Sequence, residues 1–289
     1  MHNQTLETNR RPASPCDAGR RFGRASHAPP CVSEGGRSDL RSAKLMNAIV
    51  RTLTFLACLF LVFQARTEKA KPFIFKPSNG KGPYSVVLWL HGYRGFSPEG
   101  YFPGEKAQAM QRHAHAMGAV IIGFPATTDL GDNTQQWSEE PVADHAYIQA
   151  RLKEIAKTTN IDLRRVALFG FSQGAMVAAD LATIYPESYL GAIIMSPGGF
   201  TAPKASGARK PDHAKQVYFC FCGGDENEAN VGLTKAYARH LEQVLGAKVT
   251  LKLYPGIAKH TRPPDFMEKF PEWMATILVA KERAKNKSE

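Results

Sequence analysis

The sequence predicts an α/β fold, a mostly parallel central sheet with helices on both faces. Three observations predict it. After Ala70, short runs rich in β-branched and aromatic residues alternate with longer stretches of helical spacing, the succession that buries a parallel sheet between two helical layers. A length of 289 residues with 43% hydrophobic composition is ample for one large core, and α/β folds commonly run past 200 residues as a single domain. Finally, the glycine-flanked serine of Gly170-Phe-Ser172-Gln-Gly174 sits where one such run gives way to a helix. No internal repeat is visible.

The expected strands are Phe73 to Phe75, Ser85 to Leu90, Val120 to Phe124, Val166 to Phe169, Ala192 to Met195, Val217 to Cys222 and Val249 to Tyr254. Helices are expected at Glu105 to Met117, Val142 to Thr158, Gln173 to Tyr185, Val231 to Leu245 and Pro271 to Lys285. Pro271 suits a first helical turn, because its missing N–H is unneeded there, and Gly246 follows a helix end. One gap lacks a helix: Pro197 to Gln216, long and rich in Gly, Pro and Lys. Loops of that length in compact domains are usually functional or mobile.

Three regions divide the chain. Residues 1–45 are rich in Arg, Ser, Pro and Gly with almost no aliphatic periodicity, a composition unable to offset its ordering entropy by burial, so a disordered leader is expected. Residues 46–65 run from Met46 through Arg51 into the apolar stretch Leu53 to Phe63 and end in Gln64-Ala65. A basic start, an apolar middle and a small residue at the end are the layout of a signal peptide, too short for a comfortable membrane span. An exported protein, periplasmic or secreted, is the expectation. Phe63 is not the small residue such a cleavage site prefers, so an uncleaved membrane anchor is the alternative. Since a signal peptide normally begins at the initiator, Met46 is read as the true start and the text before it as an over-extended frame. Residues 70–285 form the third region, a catalytic domain.

Charge excludes one function class. Residues 1–65 hold nine Lys or Arg against four Asp or Glu, leaving about +6 of the total +11 on the remaining 224 residues, enough for solubility and mild attraction of anions. No basic stripe, zinc spacing or aromatic platform accompanies it, so nucleic acid is not an expected partner. Cys16, Cys31 and Cys58 precede the catalytic domain, and Cys220 and Cys222, at i and i+2 of one strand, are poorly placed for a mutual disulfide and read as buried thiols. His113 and His115 fall on different sides of a helix and make a poor metal pair. No metal and no organic cofactor is inferred.

The serine carries the chemistry. A strand-to-helix turn forces its central residue into a strained backbone conformation, and glycines two positions either side let strand and helix approach without Cβ clashes. Ser172 Oγ then projects from the sheet's carboxyl edge. A bare Gly-x-Ser-x-Gly also fits a serine that merely N-caps a helix; the apolar run before it and the helix after it favour the nucleophile.

With Leu90-His-Gly-Tyr93, Gly170 to Gly174, Gly223-Gly-Asp225 and Tyr254-Pro-Gly256 leading to His260, the chain resembles the α/β-hydrolase superfamily over roughly residues 73 to 280. It is most similar to the compact carboxylesterase, phospholipase and acyl-thioesterase-like group, and also similar to dienelactone hydrolases and secreted feruloyl and polyhydroxybutyrate depolymerase-type esterases. The resemblance implies a short form of the fold that lacks some of the N-terminal antiparallel strands, and a base and an acid that follow the nucleophile in the order Ser, Asp, His.

A serine alcohol needs a general base in hydrogen-bond reach, and an imidazole suits. Of the histidines after Ser172, His213 lies in a polar loop and His240 within a helix; His260 follows the last strand by a short turn, at the same edge as Ser172. The His in turn needs an acceptor that fixes its tautomer. Asp225, reached from its strand through Gly223-Gly224, is the first candidate, with Glu226 and Glu228 as close rivals; Asp180 and Glu242 are inside helices. For the oxyanion, the backbone N–H of Gln173 at a helix start is one expected donor, and the resemblance implies the backbone N–H of Tyr93 as the second, with His91 buttressing the loop. Tyr93, Phe96, Tyr101, Phe102, Trp137 and Phe200 fall in loops at this edge, either lining an apolar acyl or aryl pocket or simply packing. The lysines and arginines of the Pro197 to Gln216 loop read as a solvated charge run.

Together these residues predict a serine hydrolase of carboxylesterase type, cleaving small-molecule or polymer-linked carboxylic esters or thioesters through an acyl-enzyme. A serine peptidase or acyltransferase on the same fold stays open, as does a non-catalytic binding protein. Oligomeric state is not legible.

Overall fold

The central sheet flanked by two helical layers is present. The computed structural model describes residues 72–78, 80–95, 101–132, 134–138, 140–198 and 210–285, so the expected leader 1–45, the segment 46–65 and the loop residues 199–209 lie outside the described residues. In chain order the strands are β1 (Phe73–Phe75), β2 (Tyr84–Leu90), β3 (Ala119–Gly123), β4 (Thr128–Gly131), β5 (Thr134–Gln136), β6 (Ile161–Phe171), β7 (Gly191–Met195), β8 (Val217–Gly223) and β9 (Lys248–Tyr254). The helices are α1 (Glu105–Met117), α2 (Pro141–Ala156), α3 (Gln173–Ile184), α4 (Glu228–Arg239) and α5 (Phe266–Lys285).

Seven strands form one sheet among the described residues, in the order β1-β3-β2-β6-β7-β8-β9. β1 is antiparallel to β3, and every other pairing is parallel. The carboxyl ends of β2, β6, β7, β8 and β9 therefore share one edge. After β3 the chain returns to the opposite side of β2 and continues outward from β6. That reversal lies between β2 and β6, and in open α/β sheets ligands bind at such a crevice.

Alternation along the strands sets the two layers. Val86, Leu88 and Leu90 face the side covered by Ile148 and Leu152 of α2 and the alanines of α3, whereas Val87 and Trp89 face Met110 of α1 and Phe266 and Phe270 of α5. The period of two in a strand imposes this division. α3 brings the small residues Ala175, Ala178, Ala179 and Ala182, all fully buried, into the core on this side of the sheet. It can therefore lie close against β6.

Several elements differ from the sequence reading. β4 and β5 form a separate antiparallel hairpin that its polar residues did not announce. A 3-10 turn, Pro211–Lys215, occupies part of the stretch read as helix-free, and the α4 helix ends in a π turn, His240–Val244. α5 begins at Phe266, so Pro271 lies inside it rather than in its first turn. Proline cannot supply the N–H that the carbonyl of Met267 would otherwise accept. The ring of His113 on α1 packs beside this point, its centroid 6.2 Å from that of Phe270.

Candidate active site

Ser172 stands between β6 and α3 with φ 56° and ψ −121°, in a region that L-residues with side chains avoid and that persists only when the surroundings over-determine it. They do so here. A Cβ on Gly170 would collide with the backbone of Gly174, and one on Gly174 with the carbonyls of Leu90 and His91. The Ser172 N–H donates to the carbonyl of Met195 (3.0 Å), and its own carbonyl accepts the first helical bond from Ala175 (3.0 Å). The hydroxyl makes no capping bond. The alternative reading, a serine spent on capping α3, is thereby set aside.

Loops from neighbouring strand ends enclose this hydroxyl. Gly92, after β2, lies so close that a Cβ would sit 3.1 Å from Ser172 Cβ; one on Gly198, after β7, would sit 3.5 Å from Ser172 Oγ and 3.9 Å from the Gln173 nitrogen. The space beside Ser172 Oγ and the first amide of α3 is thus bounded by backbone, which only glycines allow at this separation.

His260 comes to the same rim on the turn after β9. Its ring stacks on Phe171, the residue before Ser172, with centroids 4.8 Å apart and planes inclined by 30°. Its Nδ1 is hydrogen-bonded to Glu226 Oε1. The acceptor expected at Asp225 is therefore one residue further on. Asp225 is exposed, its Oδ2 accepts from the Gly256 N–H (2.8 Å), and its own N–H donates to the Ile257 carbonyl (3.2 Å). Asp225 faces outward and latches the turn that carries His260, while Glu226 turns in to the imidazole.

Glu226 is held by four further groups. Oε2 accepts from Ser196 Oγ (2.9 Å), the Cys222 thiol (3.3 Å) and the Gly223 N–H (3.4 Å); Oε1 accepts from Asn230 Nδ2 (2.5 Å). Asn230 Nδ2 also lies 3.2 Å from His260 Nδ1, but that nitrogen carries its proton toward Glu226, so the carboxylate is the true acceptor of both. Burial would push the Glu226 carboxyl up, yet the donors from His260, Asn230, Cys222 and Ser196 outweigh it and hold it below its ordinary value. It is an acceptor for everything around it. Cys222 and Cys220 are free and buried as expected; burial pushes their thiols up to about 11 and about 12.

His91 buttresses the loop between β2 and Tyr93. Its Nδ1–H donates to the Gly92 carbonyl (2.7 Å), and burial lowers its pKa from 6.5 to about 4. The unfolded chain therefore binds a proton that the folded one refuses between those values. Stability that is complete above pH 6.5 should be lost as the pH falls toward 4, on the order of 3 kcal/mol in all. Urea unfolding at pH 7.5 and pH 4.5 checks this: His91→Asn should lose less between the two pH values than the wild type.

The remaining expectations divide. Tyr93 has its side chain 54% exposed and its N–H in the loop that abuts Ser172; Gln173 opens α3. Phe96 and Phe200 lie outside the described residues. Tyr101 and Phe102 pack against Trp89 and Phe73 in the core rather than at the site. Trp137 is also no pocket wall. It is 1% exposed and its indole N–H donates inward to the His91 carbonyl (2.9 Å). A tryptophan this buried needs such a partner. Asn230 and Ser196 were not anticipated; Asn227, whose side chain caps α4 by accepting from the Asn230 N–H (2.9 Å), is the sequence signal that would have placed Glu226 and Asn230 together at one helix start.

Comparison with known proteins agrees with this architecture. Residues 78–278 match the model of the phospholipase/carboxylesterase family. An acetylxylan esterase of Coprinopsis cinerea is 26% identical over 122 residues, 40% of this chain and 32% of that protein, so the match spans about a third of that relative's length. Among solved structures, the Bacillus cereus carboxylesterase has a TM-score of 0.55 at 21% identity, covering 75% of this chain and 98% of its own. A ferulic acid esterase has a TM-score of 0.57 at 14% identity, covering 73% and 92%. At these identities the structural likeness concerns the fold.

Proposed function

We propose, since the chain belongs to the phospholipase/carboxylesterase family, that it is a carboxylic ester hydrolase working through an acyl-enzyme on Ser172, with His260 as general base and Glu226 as the acid that orients it. One observation carries this reading: a serine at φ 56°, its hydroxyl not spent on capping α3, directly follows Phe171, and on Phe171 stacks an imidazole whose Nδ1 is already engaged by a carboxylate. With Nδ1 so occupied, Nε2 is left to take the hydroxyl proton.

The steps follow. Ser172 Oγ attacks the ester carbonyl carbon while its proton passes to His260 Nε2; the carbonyl oxygen becomes an oxyanion facing the N–H groups of Tyr93 and Gln173. Collapse breaks the bond to the alcohol oxygen, which takes the proton from His260. Water then repeats the sequence on the acyl-enzyme and releases the acid. Glu226 stays ionised throughout and stabilises the imidazolium. Small-molecule or polymer-linked esters are the substrate class, and an acetyl ester is the first to try, given the acetylxylan esterase match. Export is read from residues 46–65 alone, with retention as a membrane anchor the alternative.

The test uses a fluorophosphonate. It should abolish p-nitrophenyl acetate and butyrate hydrolysis in proportion to labelling, with the mass increment on the peptide holding Ser172. Full activity in fully labelled protein, or a label on another residue, would refute the assignment.

A further inference from the structure

Trp137 follows the β4–β5 hairpin, and all of its polar groups are directed at the loops around Ser172. The indole N–H donates to the carbonyl of His91 (2.9 Å), two residues before the Tyr93 amide. The backbone N–H donates to Gln173 Oε1 (3.1 Å), and the backbone carbonyl accepts from Gln173 Nε2 (3.3 Å). One residue thus bonds to both segments that supply oxyanion donors. The His91 ring also packs on the indole, with centroids 5.4 Å apart.

The base of the hairpin is fixed in turn. Asp144 of α2, 1% exposed, accepts from Thr127 Oγ1 before the hairpin and from the Ser138 N–H after it, both at 3.1 Å. Trp137 is therefore tied through its neighbour to a helix and through its own atoms to two loops. Such a link has a physical use. Donors stabilise a developing oxyanion only if they are already placed where the charge will appear, and an error of about 1 Å in position is costly.

We propose that Trp137 is a positioning residue that fixes the separation of the Tyr93 and Gln173 amides, and so acts on the transition state without touching substrate. This rests on the acyl-enzyme reading above. Loss of the tie should lower kcat and leave KM nearly unchanged, since ground-state binding does not need the amides in register.

The experiment compares Trp137→Phe, which keeps the packing but deletes the indole donor, with Gln173→Met, which deletes the other two bonds while keeping its backbone N–H. Each is assayed for p-nitrophenyl acetate turnover and for inhibition by an alkyl trifluoromethyl ketone, whose adduct with the serine carries an oxyanion. Both variants should lose about tenfold in kcat, with KM within about twofold and ketone affinity falling in step with kcat/KM; removal of a whole donor costs about 10²–10³. The double variant should lose less than the product of the two. Wild-type kcat and ketone affinity in both variants, or a change confined to KM, overturns the proposal. Should Trp137→Phe fail to fold, Gln173→Met decides alone. A Ser172→Ala enzyme that keeps its activity would instead overturn the underlying reading, so the two failures are distinguishable.

Discussion

Ser172→Ala should hydrolyse p-nitrophenyl esters slower than the wild type by several powers of ten, about 10⁵ or more in kcat, while melting within about 2 °C of it. The two halves of this expectation come from the same geometry. The hydroxyl makes no capping bond to α3, so its removal leaves no buried partner unsatisfied, and alanine meets the same backbone strain at φ 56° that serine does. The variant should refuse the fluorophosphonate. Turnover within tenfold of the wild type, from protein free of contaminating esterase, would remove Ser172 from the mechanism.

The second large effect separates two adjacent carboxylates. Glu226→Gln should lower kcat by about 10⁴, the scale seen when a triad acid becomes an amide and the imidazole takes the wrong tautomer. Five donors converge on Glu226, from His260, Ser196, Cys222, Gly223 and Asn230. A carboxylate accepts all of them. A glutamine amide must turn its NH₂ toward some, so part of the nest is left facing a donor, at a stability cost of about 1–3 kcal/mol. Asp225→Asn should stay within about threefold of wild type, because an amide oxygen can still accept from the Gly256 N–H that Asp225 Oδ2 now holds. Steady-state kinetics on the pair is decisive: a severe loss at position 225 with a mild one at 226 would return the acid to the earlier residue.

What was legible in the sequence, and what was not, follows the range of the interactions involved. Parallel strands and their helices were readable because period and apolar runs are local, and the elbow because Gly170 and Gly174 sit at fixed offsets from Ser172. The choice between Asp225 and Glu226 was not, since it depends on how the chain leaves β8, and the partners that settle it, Ser196 and Asn230, lie 30 positions before and four after. Trp137 was misjudged for a related reason. An aromatic in a polar stretch looks like a pocket wall until its hydrogen-bond acceptors, 46 residues upstream and 36 downstream, are known. The hairpin before it has no apolar face to give it away, its β4 residues being mostly exposed. Pro271 was read by a sound local rule, but the helix begins five residues earlier, at Phe266, and carries the proline in its interior.

Among the described residues β9 is the last strand of the sheet, paired only with β8, with most of its residues exposed, and it carries the turn that ends at His260. Ser172, by contrast, follows β6, flanked by β2 and β7. Marginal strands detach before central ones. Mild heat or denaturant should therefore silence the enzyme by fraying its periphery while the serine and its glycines remain folded, which makes turnover a gauge of the border of the sheet and a poor gauge of its middle.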